Sequence, residues 1–539
     1  MLYRLVTSLL IVVLVFSIKP VNAFAQGDVS FEVSVSAVYD YTNSEYTQVA
    51  ITNTVTNLKQ SVVLGSQFIK TGFNDIWDVK VSSQNKSLDF QTTTGTSGRD
   101  IEINFTEPIV GKENSFSYTV SFKTLESLEN NGLIREIYIP KVKRLSEYQS
   151  YQITVVYPNY FGEVSFASPA PYTLDTSKNS LTFANESCYT VAMVVFFGNY
   201  QIYNFDLTYD LENPTVFVQD RVITLPPIIA GRQEVIVKKI TPTPKDIYLD
   251  TDGNTQAVIK VKEKSTQIVK VSGLIKVINH PIDQKDSLKS LRMSAGNIQE
   301  YTKPLPFWEV DDPDIKAVAK RLTDNNKSVL QKAKSVFDFV TQNITYDSTK
   351  QSLGNSLRLG AVKTLEIKKG VCMEFSDLTI ALLRALSIPA REIDGFAYSK
   401  DLSKKPLSVF YNKEDDFLHS WVEFYDPSYG WIPIDPTWGA TSGLDYFNNF
   451  DSNHVSLVIK GKDSTNPLPP GYFRSANDLT KKVNISFATN SEWNPNESLI
   501  KNLNTNTNLK AIEILGIFVA VALCVSLVIL AFQLLRPHT

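Results

Sequence analysis

The chain has 539 residues, with 53 basic against 56 acidic and a formal net charge of −3. At 43% hydrophobic and 20% charged it is too apolar for a disordered chain, and it lacks the basic excess of a nucleic-acid binder. Three cysteines, Cys188, Cys372 and Cys524, cannot build a disulfide framework, so core packing must hold the fold.

Arg4 precedes an apolar run from Leu5 to Ile18, and Ala23-Phe24-Ala25 follows. This pattern predicts a signal peptide over residues 1–25. At the far end, Ile514 to Leu535 carries no charge. As a helix it would span about 33 Å, enough for a bilayer. The expectation is one transmembrane helix within 511–536, with Cys524 in lipid and Arg536 on the inner side. The protein then sits in the plasma membrane as a single-pass protein with a large extracytoplasmic part. Scarce cysteines favour a bacterial or archaeal cell surface.

Between these ends, Ser30 to about Asn279 reads mostly as strand. Phe31 to Val38 alternates apolar and polar residues, as do Tyr118–Phe122, Tyr151–Tyr157 and Val258–Lys262. The pattern predicts β-sandwich-like modules over 26–126 and 127–210, and a β-rich module over 211–300. Cys188 reads as a packed strand residue.

Helical spacing begins after Tyr301. Ile315, Val318, Ala319 and Leu322 form one stripe, and Ala333, Val336, Phe337 and Val340 a second, capped by Ser328. Asp311, Asp312 and Asp314 complement a helix start better than they suggest a cation site. Residues 462–510 are rich in Asn, Ser, Thr and Pro and read as a polar stalk, with one strand at Lys482–Phe487.

Phe375, Leu378, Leu382 and Ala385 form a third stripe, directly after Gly370-Val371-Cys372. Gly370 suits a tight turn, and Cys372 falls in the first turn of the helix. There the open N–H groups and the dipole lower a thiol pKa and can hold an oxyanion.

Leu418 to Tyr425 alternates as a strand, and Gly430 to Trp438 follows a short turn. A hairpin with a five-residue loop pairs Tyr425 with Trp431, or Phe424 with Gly430. In either register His419 and Asp435 share a face, directly opposite in the second and diagonal in the first. A four-residue loop would separate them. Cys372, His419 and Asp435 then supply a nucleophile, a base and an orienting acid.

Three ordered motifs resemble the transglutaminase-like superfamily. They are Gly370-Val371-Cys372 with Glu374-Phe375-Ser376, His419 with Trp421-Val422-Glu423, and Gly430-Trp431 with Pro433 and Asp435-Pro436-Thr437. The resemblance covers about 301–461. It implies an α+β papain-like core in a multidomain chain, and a Cys372, His419, Asp435 triad. It also implies a side-chain oxyanion donor upstream of the cysteine, with Tyr346, Gln351 and Asn355 as candidates. Trp421, Trp431 and Trp438 could line a substrate groove or pack the hairpin. No calcium-loop pattern stands out, and neither metal nor cofactor is expected. The implied function is acyl transfer on peptide or protein amides at the cell surface through a thioester, ending in hydrolysis or transamidation. The competing expectation is an inert adhesion protein that binds an envelope partner through its β modules.

Overall fold

The computed structural model describes residues 29–500, apart from 96, 280–297, 324–326, 353–356, 401, 403–404, 410–416 and 474–479. The expected signal peptide, the expected transmembrane helix, Cys524 and Asn355 lie outside the described residues. No helix among the described residues is long and apolar enough to cross a membrane.

Two compact units divide the chain, and neither is one continuous segment. The first takes in residues up to Tyr39, Gln48–Lys123 and Lys143–Thr154. Its strands are β1 (Phe31–Asp40), β2 (Thr47–Asn57), β3 (Val63–Lys70), β4 (Trp77–Ser83), β5 (Lys86–Ser87), β6 (Asp89–Gly95), β7 (Gly98–Val110) and β8 (Ser115–Thr124). They form one sheet in the order β1-β2-β8-β4-β5 and a second in the order β3-β7-β6. Burial alternates along β2 without a break, so Val49, Ile51 and Val55 face the core.

The second unit takes in Asp40–Thr47, Thr124–Val142 and the chain from Val155. It holds β9 (Leu128–Asn131) and β10 (Ile134–Ile139) and, after β11 (Tyr148–Val156) has closed the first unit, β12 (Val164–Ser168), β13 (Tyr172–Asp175), β14 (Ser180–Ala184) and β15 (Met193–Phe197). One sheet runs β12-β15-β10-β9. Cys188 is fully buried, but in the short helix α1 (Glu186–Thr190) rather than a strand.

The next strands are β16 (Tyr200–Asn213), β17 (Gln219–Leu225), β18 (Gln233–Thr241), β19 (Asp246–Leu249), β20 (Thr255–Val261) and β21 (Ser265–Ile278). The boundary expected between 210 and 211 falls inside β16. That strand pairs with β21 over its whole length, so no break is possible there. The polar segment after 462 is partly built into the same sheet. Val483–Phe487 pairs antiparallel with β16, as the strand expected there. Lys482 Nζ lies 2.9 Å from Asp210 Oδ2, both buried.

Helices follow as the stripes predict. Helix α2 (Pro313–Leu322) is capped by Asp312, whose Oδ1 accepts from the N–H groups of Asp314 and Ile315. The aspartate cluster thus starts a helix. Ser328 and Gln331 form a reciprocal capping box on α3 (Val329–Asn343). Then come β22 (Thr345–Tyr346), α4 (Ser348–Ser352), α5 (Gly360–Ile367), β23 (Lys369–Gly370) and α6 (Cys372–Ala385). Helix α6 packs on a sheet made of β24 (Ala390–Ala397), β25 (Ser408–Val409), β26 (Phe417–Asp426), β27 (Gly430–Ile434) and β28 (His454–Lys460). Phe375, Leu378 and Leu382 of α6 share one core with Val422 and Phe424 of β26. Each fully buried side chain of this size contributes roughly 2 kcal/mol.

Candidate active site

Cys372 is the first residue of α6 and is fully buried. The turn before it is held by Glu374, also fully buried. Its carboxylate accepts from Val371 N at 3.0 Å, Leu359 N at 3.0 Å and Lys350 Nζ at 2.7 Å. Gly370 is required for space rather than for an unusual turn. A Cβ there would meet Glu374 Cβ at 2.4 Å. The left-handed residue of this connection is Lys368, the C-cap of α5.

The hairpin takes the first of the two registers. Tyr425 pairs with Trp431, the ladder runs from Val422–Ile434 to Asp426–Gly430, and Asp435 lies diagonal to His419. Pro436 ends the strand at once, so Asp435 becomes the N-cap of α7 (Pro436–Thr441). Its two oxygens divide their work. Oδ1 accepts from Thr437 N and Trp438 N at 2.9 and 3.0 Å. Oδ2 lies 2.8 Å from His419 Nε2. With Nε2 carrying the proton toward Asp435, Nδ1 of His419 is the bare nitrogen. It is buried with no hydrogen-bond partner.

Helix α6 is tied to this strand by polar contacts. Ser420 Oγ lies 3.2 Å from Ser376 Oγ and 2.8 Å from Glu392 Oε1. Arg358 binds Glu392 Oε2 at 2.8 Å and also holds Asp377 of α6. Cys372 lies one turn before Ser376 on the same face of α6, and His419 lies one residue before Ser420. Opposite His419, β24 carries Gly395. A Cβ there would meet Val455 O at 2.1 Å and the Trp421 ring at 2.5 Å.

The sequence reading missed a second histidine. His454 opens β28, two strands away from β26, and is fully buried at its side chain. Its Nδ1 lies 2.7 Å from Asp451 Oδ1, and its Nε2 lies 3.4 Å from Asp435 Oδ2. Burial works against its charge, but Asp451 and Asp435 outweigh burial and raise its pKa. Burial likewise works against an ionised Asp435, yet His419 and then His454 bring its pKa down to about 2. The donor atoms of His419, Asp435 and His454 lie within 4.8 Å of one another, a set zinc would accept and one the sequence expectation of no metal did not foresee. Two N–H groups sharing one carboxylate oxygen account for the same geometry.

The other expected residues separate. Trp438 stacks on His419 with ring centroids 4.9 Å apart, and its Nε1 donates to Pro406 O. Trp421 sits edge-on to His454 at 5.0 Å and lines a cleft with Arg232, Phe450 and His454. Trp431 packs with Tyr301 and Tyr425, under Arg391. Tyr346 pairs with Gly370 across β22 and β23, two residues before the cysteine. Gln351 lies in α4.

Residues 316–436 match the family described as the transglutaminase-like superfamily. This part of the chain is a transglutaminase-like domain, in a sheet-rich chain of more than one unit. The chain is 29% identical over 207 residues to the uncharacterized protein YebA of Bacillus subtilis, covering 37% of this chain and 28% of that one. It is 30% identical over 73 residues to a protein-glutamine gamma-glutamyltransferase of Pseudomonas aeruginosa, 14% of this chain and 10% of that one. It thus spans under a third of the length of each of these two relatives. Among solved structures it resembles the periplasmic domain of TgpA from Pseudomonas aeruginosa bound to ethylmercury. The identity is 16% and the TM-score 0.26, over 45% of this chain and 91% of that one.

Proposed function

We propose that the protein is a cysteine acyl-transfer enzyme acting on amide bonds of peptides or proteins, with Cys372 as nucleophile. His419 Nδ1 takes the thiol proton as Sγ attacks the carbonyl carbon. The N–H groups at the start of α6 hold the oxyanion, with Tyr346, whose backbone pairs with Gly370, as a candidate side-chain donor. The tetrahedral intermediate collapses, the C–N bond breaks, and the leaving amine takes the proton from His419. Water or a second amine then attacks the thioester, loses a proton to His419, and releases the thiol. Asp435 keeps the histidine proton on Nε2 throughout.

The observation that carries this reading is the 2.8 Å contact between His419 Nε2 and Asp435 Oδ2, which leaves Nδ1 as the basic nitrogen. The family match of residues 316–436 supports it. The apolar runs at 5–18 and 514–535 support a membrane-anchored enzyme facing the outside of the cell. The test is labelling with a thiolate-selective electrophile. Fast modification of Cys372 that is lost in His419→Ala is the expected result. Equal slow labelling in both proteins would leave the inert adhesion reading standing.

A further inference from the structure

Strands β9 and β10 form one wall of a cleft of about 660 Å³, counted out to its open mouth. The rest of the wall includes Ser399 and Lys405, within the matched residues 316–436, and Asn453 after them. The β9–β10 ladder sets Glu136 directly opposite Glu129. Residues paired this way share a face with Cβ atoms about 5 Å apart, where like charges are unfavourable. Asn131 stands two residues beyond Glu129 on the same face.

The buried atoms here share one property. Glu136 Oε2, Asn131 Oδ1, Asn453 Oδ1 and Ser399 Oγ are buried without a hydrogen-bond partner. The first three residues are 4%, 2% and 3% exposed. Asn131 Nδ2 donates to Glu129 Oε2, which fixes Oδ1 as its open end. Lys405 Nζ stands 3.6 Å from Glu136 Oε1, and Lys400 Nζ stands 3.9 Å from Glu129 Oε2. Both distances exceed a hydrogen bond, so neither lysine satisfies these oxygens. Burial pushes the Glu136 carboxyl up to about 7, against the pull of Lys405.

A wall of acceptors calls for a donor, and its acidic excess calls for a cation. Three tetrahedral N–H donors match these oxygens. A divalent metal is disfavoured by Lys405, whose ammonium already stands beside the Glu136 carboxylate. The cleft also communicates with the candidate active site. Lys405 Nζ lies 5.5 Å from the centre of the Trp438 ring, which also stacks on His419. Ser442, the residue after α7, lines the cleft, and Asp435 caps the opposite end of that helix. Seven residues of helix separate them by about 10 Å. A group held in the cleft is therefore recognised there, and is not itself the attacking nitrogen.

We propose that this cleft binds a primary ammonium group of the substrate. The inference rests on the enzyme reading for its purpose but not for its test. The test is calorimetric titration of the full chain carrying Cys372→Ala with two probes, cadaverine and a short lysine peptide, each beside its N-acetylated form. The expected result is at least tenfold tighter binding of the free ammonium than of the acetylated form, and loss of that preference in Glu136→Gln. Retained thermal stability of Glu136→Gln shows that the fold is intact. Binding of cadaverine alone assigns the site to a free amine, and binding that needs flanking peptide assigns it to a lysine side chain. Equal binding of free and acetylated probes overturns the proposal, since water then fills the cleft. Calcium binding that Glu136→Gln abolishes overturns it in favour of a metal. Failure of the Cys372 labelling test would remove the enzyme reading and leave this result unchanged.

Discussion

The indole of Trp438 lies on the imidazole of His419, with ring centroids 4.9 Å apart and planes 23° from parallel. Both side chains are buried, and the indole is fixed at its far edge by Pro406 O. The ring therefore sets the plane in which Nδ1 points. Trp438→Ala is expected to destabilise the fold by about 3–5 kcal/mol and to lower kcat/KM about 100-fold in the molecules that stay folded. Trp438→Phe keeps a ring and should lose far less of both. Thermal melts and steady-state kinetics on the two variants check this. Equal kinetics in Trp438→Ala and the parent would show that the stack does not orient the base.

Asp435 does two separable things. An asparagine still caps α7 through its side-chain oxygen, but it cannot serve as the charged acceptor for both histidines. Asp435→Asn should keep the cap but lose about 2 kcal/mol with the charge, and roughly 10³–10⁴-fold in rate. Asp435→Ala should lose both, plus about 1 kcal/mol from the missing cap. Urea unfolding of the pair separates the cap from the chemistry.

The two shifted groups set opposite limits in pH. Asp435 has a folded pKa near 2 against 3.8 unfolded. Its contribution, about 2 kcal/mol, is full above the unfolded value and is lost as pH falls toward 2. His454 is shifted upward. Its contribution is full below its unfolded pKa of about 6.5 and is lost as pH rises through its folded value. These two groups make stability decline below about pH 4 and above about pH 6.5. The raised carboxyls of Glu136 and Asp377 add a loss as pH rises toward 7, so the decline beyond about pH 7 is the part that belongs to His454. His454→Gln should remove most of that part, and denaturation midpoints across pH will show whether it does.

Gly370→Ala tests the packing before the cysteine. The new Cβ would lie 2.4 Å from Glu374 Cβ, a distance that forces backbone to move. The expected outcome is a loss of about 1–3 kcal/mol and slower electrophile labelling of Cys372. Wild-type labelling in a stable Gly370→Ala protein would mean the turn relaxes without moving the thiol.

Much of the candidate site was legible because its parts are local. The stripes at Phe375, Leu378 and Leu382 and at Ala333, Val336 and Phe337 need only the helical repeat. The pairing of His419 with Asp435 needed only strand alternation and a loop length, and the register with Tyr425 opposite Trp431 realised one of the two options. His454 was not legible, because it reaches Asp435 from β28, beyond β24 in the sheet order. The same holds for Glu136, whose cleft partners lie more than 250 residues further along the chain. Alternation marks which residues of a strand face inward but not which strand lies beside it. That is also why a boundary was expected within β16.

The last described strand has a mechanical meaning. Val483–Phe487 lies along β16, Lys482 is locked to Asp210, and Leu499 N bonds to Val237 O. A pull on the chain beyond residue 500 meets these contacts first. The ladder to β16 therefore takes up such a load before the strands that carry His419 and His454 do.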